Sequence, residues 1–153
     1  MLEVLVALLV LMLGMLAVAG LQSLSISGNH SAYLRSQAII QAHDMSDRMH
    51  ANSAGVQEGS YNSISGISDN PPTCLSTSTS ADVLAGVECT TAQMAQFDAW
   101  EWNTTNALVL PSGLGQVQGP DGSGIYTITV SWLENEESGS SRKTFDFKVK
   151  PLP

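Results

Sequence analysis

The chain has 153 residues and a formal net charge of −8, and only 13% of its residues are charged. A balance this acidic argues against nucleic-acid binding, which depends on a basic face, and against polybasic anchoring on anionic lipid. Low charge combined with many Ser, Thr and Asn residues indicates an exported protein with room for one small domain after its apolar start.

The first stretch is a long apolar run headed by one acid. Val4–Leu21 contains no polar side chain, and no basic residue occurs before Arg35. Eighteen helical residues at about 1.5 Å each cross most of a bilayer core of roughly 30 Å. We expect residues 1–24 to be the transmembrane or bundle-core half of a helix, and residues 25–153 to form the head together with the second half of that helix.

Glu3 stands at the entrance of this run. It is an interfacial residue if the run is an ordinary anchor. If the carboxylate instead lies in hydrocarbon or in a helix bundle, it costs several kcal/mol unless a cation pairs with it. That cation would come from another molecule or from the chain's own amino terminus.

The helix is predicted to continue from about Met1 to about Ala51. One stripe recurs by threes, fours and sevens, as expected for a helix face that lies on a head domain. Gly14 and Gly20 should make the helix weakest between them, because each costs about 1 kcal/mol relative to Ala. The stripe comprises Leu24, Gly28, Ser31, Ala38, Ala42, Met45 and Met49.

His43, Asp47 and His50 share one face of this helix at a spacing that suits a metal. We interpret them as a solvated polar face and expect no metal and no cofactor. The following stretch, to Thr90, is too poor in large apolar residues to form its own core. In an exported chain Cys74 and Cys89 should form a disulfide, closing a loop of about 16 residues that stabilises by roughly 3 kcal/mol.

A second helix is predicted from an N-cap at Thr91 to about Ala107, and Pro111 follows its end. Met94, Phe97 and Trp100 lie on one face, and Asp98 and Trp102 on another. Trp100 and Trp102 together are a possible partner surface. The alternative is that at least one of them packs in the core.

Three strands are predicted after this helix, at 115–118, 125–132 and 143–150, with a polar hairpin loop at 134–141. Tyr126, Ile128, Val130 and Trp132 share one face, and Phe145, Phe147 and Val149 point inward. The fold class is therefore α+β, with a long N-terminal helix packed on a small antiparallel sheet. No GxSxG, phosphate-binding glycine loop or HExxH occurs, so we do not expect an enzyme.

Two segments resemble a known family. Met1–Leu8 resembles the class III signal of type IV pilins and of type II secretion pseudopilins, with Glu3 at the family's glutamate. Asp98, Trp102-Asn103 and Leu110–Gly113 resemble a mark of PilV-type minor pilins. In the family a basic leader ending in Gly is removed and a new first residue, usually Phe, is methylated. This sequence lacks the leader and about two residues before Met1, so we expect a truncated chain or a start assigned to an internal Met.

The resemblance implies the pilin fold and a minor pilin that primes or caps a type IV pilus, with adhesion and twitching motility downstream. It implies insertion in the bacterial inner membrane with the head in the periplasm, followed by assembly into a cell-surface pilus. The implied partners are other minor and major pilins, prepilin peptidase and the assembly platform. Two alternatives stay open: a type II secretion minor pseudopilin, and a single-pass anchored binding domain that never polymerises.

Overall fold

The computed structural model describes residues 2–66, 89–136 and 139–151, without the side chains at 23, 24, 26, 27, 135, 136 and 139. The chain divides into two compact units, Met1–Arg35 and Ser36–Pro153. The predicted boundary at residue 24 marks the end of the apolar half of the helix, which is a different boundary from the one between these units. It stays a prediction. Cys89 lies within the described residues and Cys74 outside them.

Helix α1 spans Leu2–Ala51, as the sequence predicts. In the second unit, Ala38, Ala42, Met45 and Met49 are fully buried. Their spacing of four, three and four residues places all four on one face of the helix. Gly28 was expected on the same stripe and is exposed instead.

A five-residue helix, α2 (Ser53–Gln57), and a short strand, β1 (Ser63–Ser65), follow α1. Helix α3 spans Thr91–Val109. Its N-cap is Thr90 and not Thr91, because Thr90 forms a capping box with Gln93. The Gln93 side chain accepts the Thr90 backbone N–H at 2.9 Å, and the Thr90 hydroxyl accepts the Gln93 N–H at 3.3 Å, so two otherwise unpaired donors are satisfied.

The sheet has four antiparallel strands in the order β1-β2-β3-β4. Strands β2 (Leu114–Gln118), β3 (Tyr126–Glu136) and β4 (Gly139–Val149) correspond to the three predicted strands. The last two extend into the region predicted as a hairpin loop, where Glu134 pairs with Ser141.

The faces of the sheet follow the predicted alternation. The inward residues of β3 are buried, and those of β4 are half-buried. Ile128 lies opposite Phe147, and Val130 opposite Phe145. The α+β class, with a long N-terminal helix and a small antiparallel sheet, is confirmed. The inward residues of β3 are Tyr126, Ile128, Val130 and Trp132.

Candidate functional site

The first candidate site is the apolar segment of the first unit. Leu2–Gln22 is long and apolar enough to cross a membrane, and none of it is buried. Leu16 is 70% exposed and Leu21 69%. Soluble monomers rarely expose a contiguous apolar patch of this kind, so the segment requires lipid or other apolar helices around it.

Glu3 lies in the first turn of α1, where the positive end of the helix dipole favours an acid. Among the residues that the structure describes, none forms an ion pair with Glu3. The predicted cation for this carboxylate stays a prediction. The helix runs unbroken through Gly14 and Gly20, and a Cβ at either position would meet open space. The weakness predicted between them is likewise untested.

The two tryptophans of α3 have different environments. Trp102 is fully buried, and its indole N–H donates to the Gln41 carbonyl at 2.8 Å. Trp102 therefore lies in the core, which agrees with the alternative that at least one of the two tryptophans is a core residue. Trp100 is half-buried, with its ring centroid 6.1 Å from that of Phe97. Its role in partner binding stays a prediction.

The residues that resemble the minor-pilin mark are packing residues in this structure. The Asn103 side-chain oxygen accepts the Gly115 N–H at 2.7 Å, which ties α3 to β2. A Cβ at Gly115 would overlap the Trp102 ring, and a Cβ at Gly113 would overlap the Asn106 carbonyl. Both glycines are therefore required by close approach of α3 to the chain that follows it.

A polar cluster that the sequence did not reveal joins α1 to α3. The Arg48 guanidinium lies 2.9 Å from Asp44, 3.3 Å from Asp98 and 2.6 Å from Glu101. Burial opposes the Arg48 charge, but hydrogen bonds to Glu101 and Asp44 outweigh it and raise the pKa of Arg48 above its usual value. The only local signal was the spacing of four between Asp44 and Arg48, which permits a helical ion pair.

Asp98 is the buried member of this cluster. It is 6% exposed and accepts a second hydrogen bond, from the Tyr61 hydroxyl, at 2.5 Å. The Asn52 side-chain N–H donates to the same hydroxyl at 3.1 Å. Burial raises the pKa of Tyr61, and the bond to Asp98 raises it further. Arg48 of α1 therefore bonds both to the buried Asp98 and to Glu101 of α3, so the cluster fixes α3 on α1.

His43, Asp47 and His50 are exposed, as expected for a solvated face. His43 lies against Phe147 of β4, with ring centroids 4.5 Å apart. Within residues 2–66, 89–136 and 139–151, no group of three or more His, Cys, Asp or Glu side chains is arranged to hold a metal ion.

An apolar helix long enough to span a membrane, followed by an α+β head, is the arrangement expected of a pilin-like subunit. The family model described as Tt1218-like, type IV pilin Tt1218, matches residues 20–100, which is more than half of the chain. No curated protein and no solved structure matches the sequence significantly. The chain belongs to this type IV pilin family. The members of this family are structural proteins rather than enzymes. Membership of the family, together with the apolar helix, fits membrane anchoring and association with other pilins in a surface filament.

Proposed function

We propose that the chain is a minor pilin of a type IV pilus. It is held in the bacterial inner membrane by residues 1–24, with its head in the periplasm, and then joins the pilus at its priming complex or tip. The observation that carries this proposal is the apolar span Leu2–Gln22, none of which is buried, in a member of the pilin family. Removal of this surface from lipid is favourable only if neighbouring helices replace the lipid contacts.

Glu3 sets the register of assembly in this proposal. Its carboxylate pairs with the amino-terminal ammonium of a neighbouring subunit inside the helix bundle. Loss of one partner from a buried ion pair costs about 3–5 kcal/mol, because the other charge is left uncompensated. The pair therefore favours one axial position of each helix over the others.

The processing and partners that we propose are those that the resemblance to pilins implies. Prepilin peptidase removes a leader and the new first residue is methylated, and an assembly platform moves the subunit from the membrane into the filament. Other minor and major pilins are the direct partners, with adhesion and twitching motility as consequences. A Cys74–Cys89 disulfide closes the segment that precedes α3 and stabilises it in the oxidising periplasm.

The proposal is tested by locating the chain in shed filaments. Filaments are sheared from cells, and the chain is quantified by mass spectrometry in the filament and inner-membrane fractions. We expect it in the filament fraction, in small amount relative to the major pilin and absent when the major pilin is deleted. An inner-membrane protein with one apolar helix is the contamination control.

Two results would contradict the proposal. A chain confined to the membrane fraction while filaments are abundant would favour the anchored binding domain. A chain whose assembly depends on the major pseudopilin of a secretion system, and not on the major pilin, would favour the minor pseudopilin.

A further inference from the structure

Helix α3 does not separate apolar and polar side chains as an ordinary helix of a soluble head does. Its buried face includes three polar side chains, whereas its solvent side carries large apolar ones. Amphipathic helices normally bury the apolar side and expose the polar one. We call the exposed apolar side the outer face of α3, and it consists of Met94, Phe97, Trp100 and Leu108.

The outer face has the properties of a contact surface. Leu108 is 81% exposed and Met94 39%. Phe97 and Trp100 are half-buried and lie together as a tilted aromatic pair. Aromatic residues and Met are enriched at protein interfaces relative to the rest of protein surfaces. Met94 and Leu108, the two exposed members, lie outside the buried face of the helix.

The border of the outer face is acidic. Glu101 lies on the same side of α3, and its side chain is 42% exposed. Asp44 of α1 contacts the same Arg48 and is 41% exposed. With Asp98, three carboxylates surround one guanidinium. The border therefore keeps an excess of negative charge, which favours a basic partner.

The chain itself carries a basic surface at the other side of the sheet. Residues 139–151 contain four of the six basic residues and one of the 14 acidic residues. Within the described residues, β4 pairs with β3 alone and forms an edge of the sheet. Lys148 and Lys150 are exposed. We call this surface, β4 with Lys150, the basic edge.

The outer face and the basic edge of one copy are separated by the sheet. α3 is tied to β2 through Asn103 and Gly115, and β2 is two strands away from β4. Contact between them thus requires two copies. Such a contact is heterologous and leaves one surface free on each copy, so the pair stays open to further subunits.

We propose that the outer face of α3 in one copy binds the basic edge of a second copy, with Glu101 opposite Lys148 or Lys150. The inference deepens the proposed function and rests on it, because it describes contact between the heads of two copies in the priming complex or at the tip. It identifies the partner as another copy of this chain, held by apolar contact and charge.

Zero-length cross-linking of the full chain tests this contact. Equal amounts of unlabelled and ¹⁵N-labelled chain are reconstituted in lipid vesicles and treated with a carbodiimide, which joins a carboxylate to an amine in direct contact. We expect mass spectrometry to find mixed-isotope links between Glu101 and Lys148 or Lys150. Absence of mixed-isotope links, with Glu101 linked to a lysine only within single copies or not at all, would overturn the proposal.

Two lysine substitutions provide a matched pair. Leu108→Lys places a charge in the outer face, and Gln96→Lys places one at an exposed polar position of the same helix that is not part of that face. We expect Leu108→Lys to reduce the mixed links about tenfold and Gln96→Lys to preserve them. Equal effects of the two variants would contradict the proposal.

The incorporation of Glu3→Ala into filaments, measured separately, distinguishes this inference from the proposed function. Normal incorporation together with mixed links would reject the role of the helix and leave the head contact standing. Failed incorporation without mixed links would reject the head contact alone.

Discussion

Asp98 connects three parts of the head at the scale of single residues. It receives hydrogen bonds from Arg48 of α1 and from Tyr61, which precedes β1. A buried carboxylate is tolerated only when its oxygen atoms are paired in this way. Its position on the inner face of α3 places this carboxylate in the buried contact between α3 and α1.

Asp98→Ala should lower the free energy of unfolding by about 2–3 kcal/mol, because the Tyr61 hydroxyl is left buried without an acceptor and Arg48 loses its buried partner. Arg48 keeps Asp44 and Glu101, which limits the loss. Chemical unfolding of the full chain in micelles, followed by circular dichroism, measures the change. Glu101→Gln alters a more exposed pair and should cost less than about 1 kcal/mol. Equal losses in the two variants would contradict the role given to Asp98.

Tyr61 should make the head sensitive to alkaline pH. Its pKa is raised by burial and by the bond to Asp98, so folding favours the neutral phenol. The resulting stabilisation is complete below the unfolded pKa of about 10 and is lost as pH rises towards the folded value. The melting temperature should fall more steeply above about pH 10 in the wild type than in Tyr61→Phe. Tyr33→Phe, at an exposed position, is the control and should keep the wild-type fall of melting temperature with pH. An equally steep fall in Tyr61→Phe would contradict the role given to Tyr61.

The environments of individual side chains were harder to predict from the sequence than the helices and strands. The apolar stripe at Ala38–Met49 was predictable because its four apolar residues repeat at helical spacing in the sequence. Asp98 was not, since its partners lie 50 residues before it in Arg48 and 37 in Tyr61. Trp102 was ambiguous for a related reason: its indole partner is a backbone carbonyl of α1, which no local pattern reveals.

At the scale of elements, α1 combines an apolar half with two glycines that no neighbour in the structure requires. A Cβ at Gly14 or Gly20 meets nothing within 4 Å. Packing within the described part of one chain therefore does not require these glycines, and within that chain their effect on the helix is the greater conformational freedom of the backbone. This makes the predicted weak point directly testable.

Amides between Gly14 and Gly20 should exchange with deuterium faster than those on either side, when the full chain is measured in micelles. Gly14→Ala and Gly20→Ala should each slow this exchange, since Ala favours the helix by about 1 kcal/mol over Gly. Gly28→Ala, also at an open position outside the apolar span, is the control and should leave this segment unchanged. Uniform exchange along residues 2–22 would show that the glycines do not weaken the helix.

Long, strongly patterned elements were predictable, and short ones were not. α1, α3 and the three later strands all have the expected type. β1 was missed because three residues, Ser63–Ser65, bury only Ile64 and give no alternating run. The cap of α3 was placed one residue late, because Thr90 and Thr91 are both good caps and only Gln93 at the third helical position decides between them.

At the scale of the whole molecule, the described structure separates two kinds of surface. The first unit exposes a continuous apolar helix, and the second forms a head with its own core. The apolar span and the α+β class followed from composition and periodicity alone. The polar cluster and the orientation of α3 did not, because they depend on contacts between residues far apart in sequence.

The most direct measurement of the central claim is the incorporation of Glu3→Ala into sheared filaments. The claim is that Glu3 acts in assembly and not in anchoring, so the variant should reach the inner membrane at the wild-type level. Its amount in filaments should fall at least about tenfold, since loss of a buried pair costs about 3–5 kcal/mol. Gln22→Ala removes a polar side chain at the other end of the span and should assemble normally. Wild-type amounts of Glu3→Ala in filaments would contradict the account.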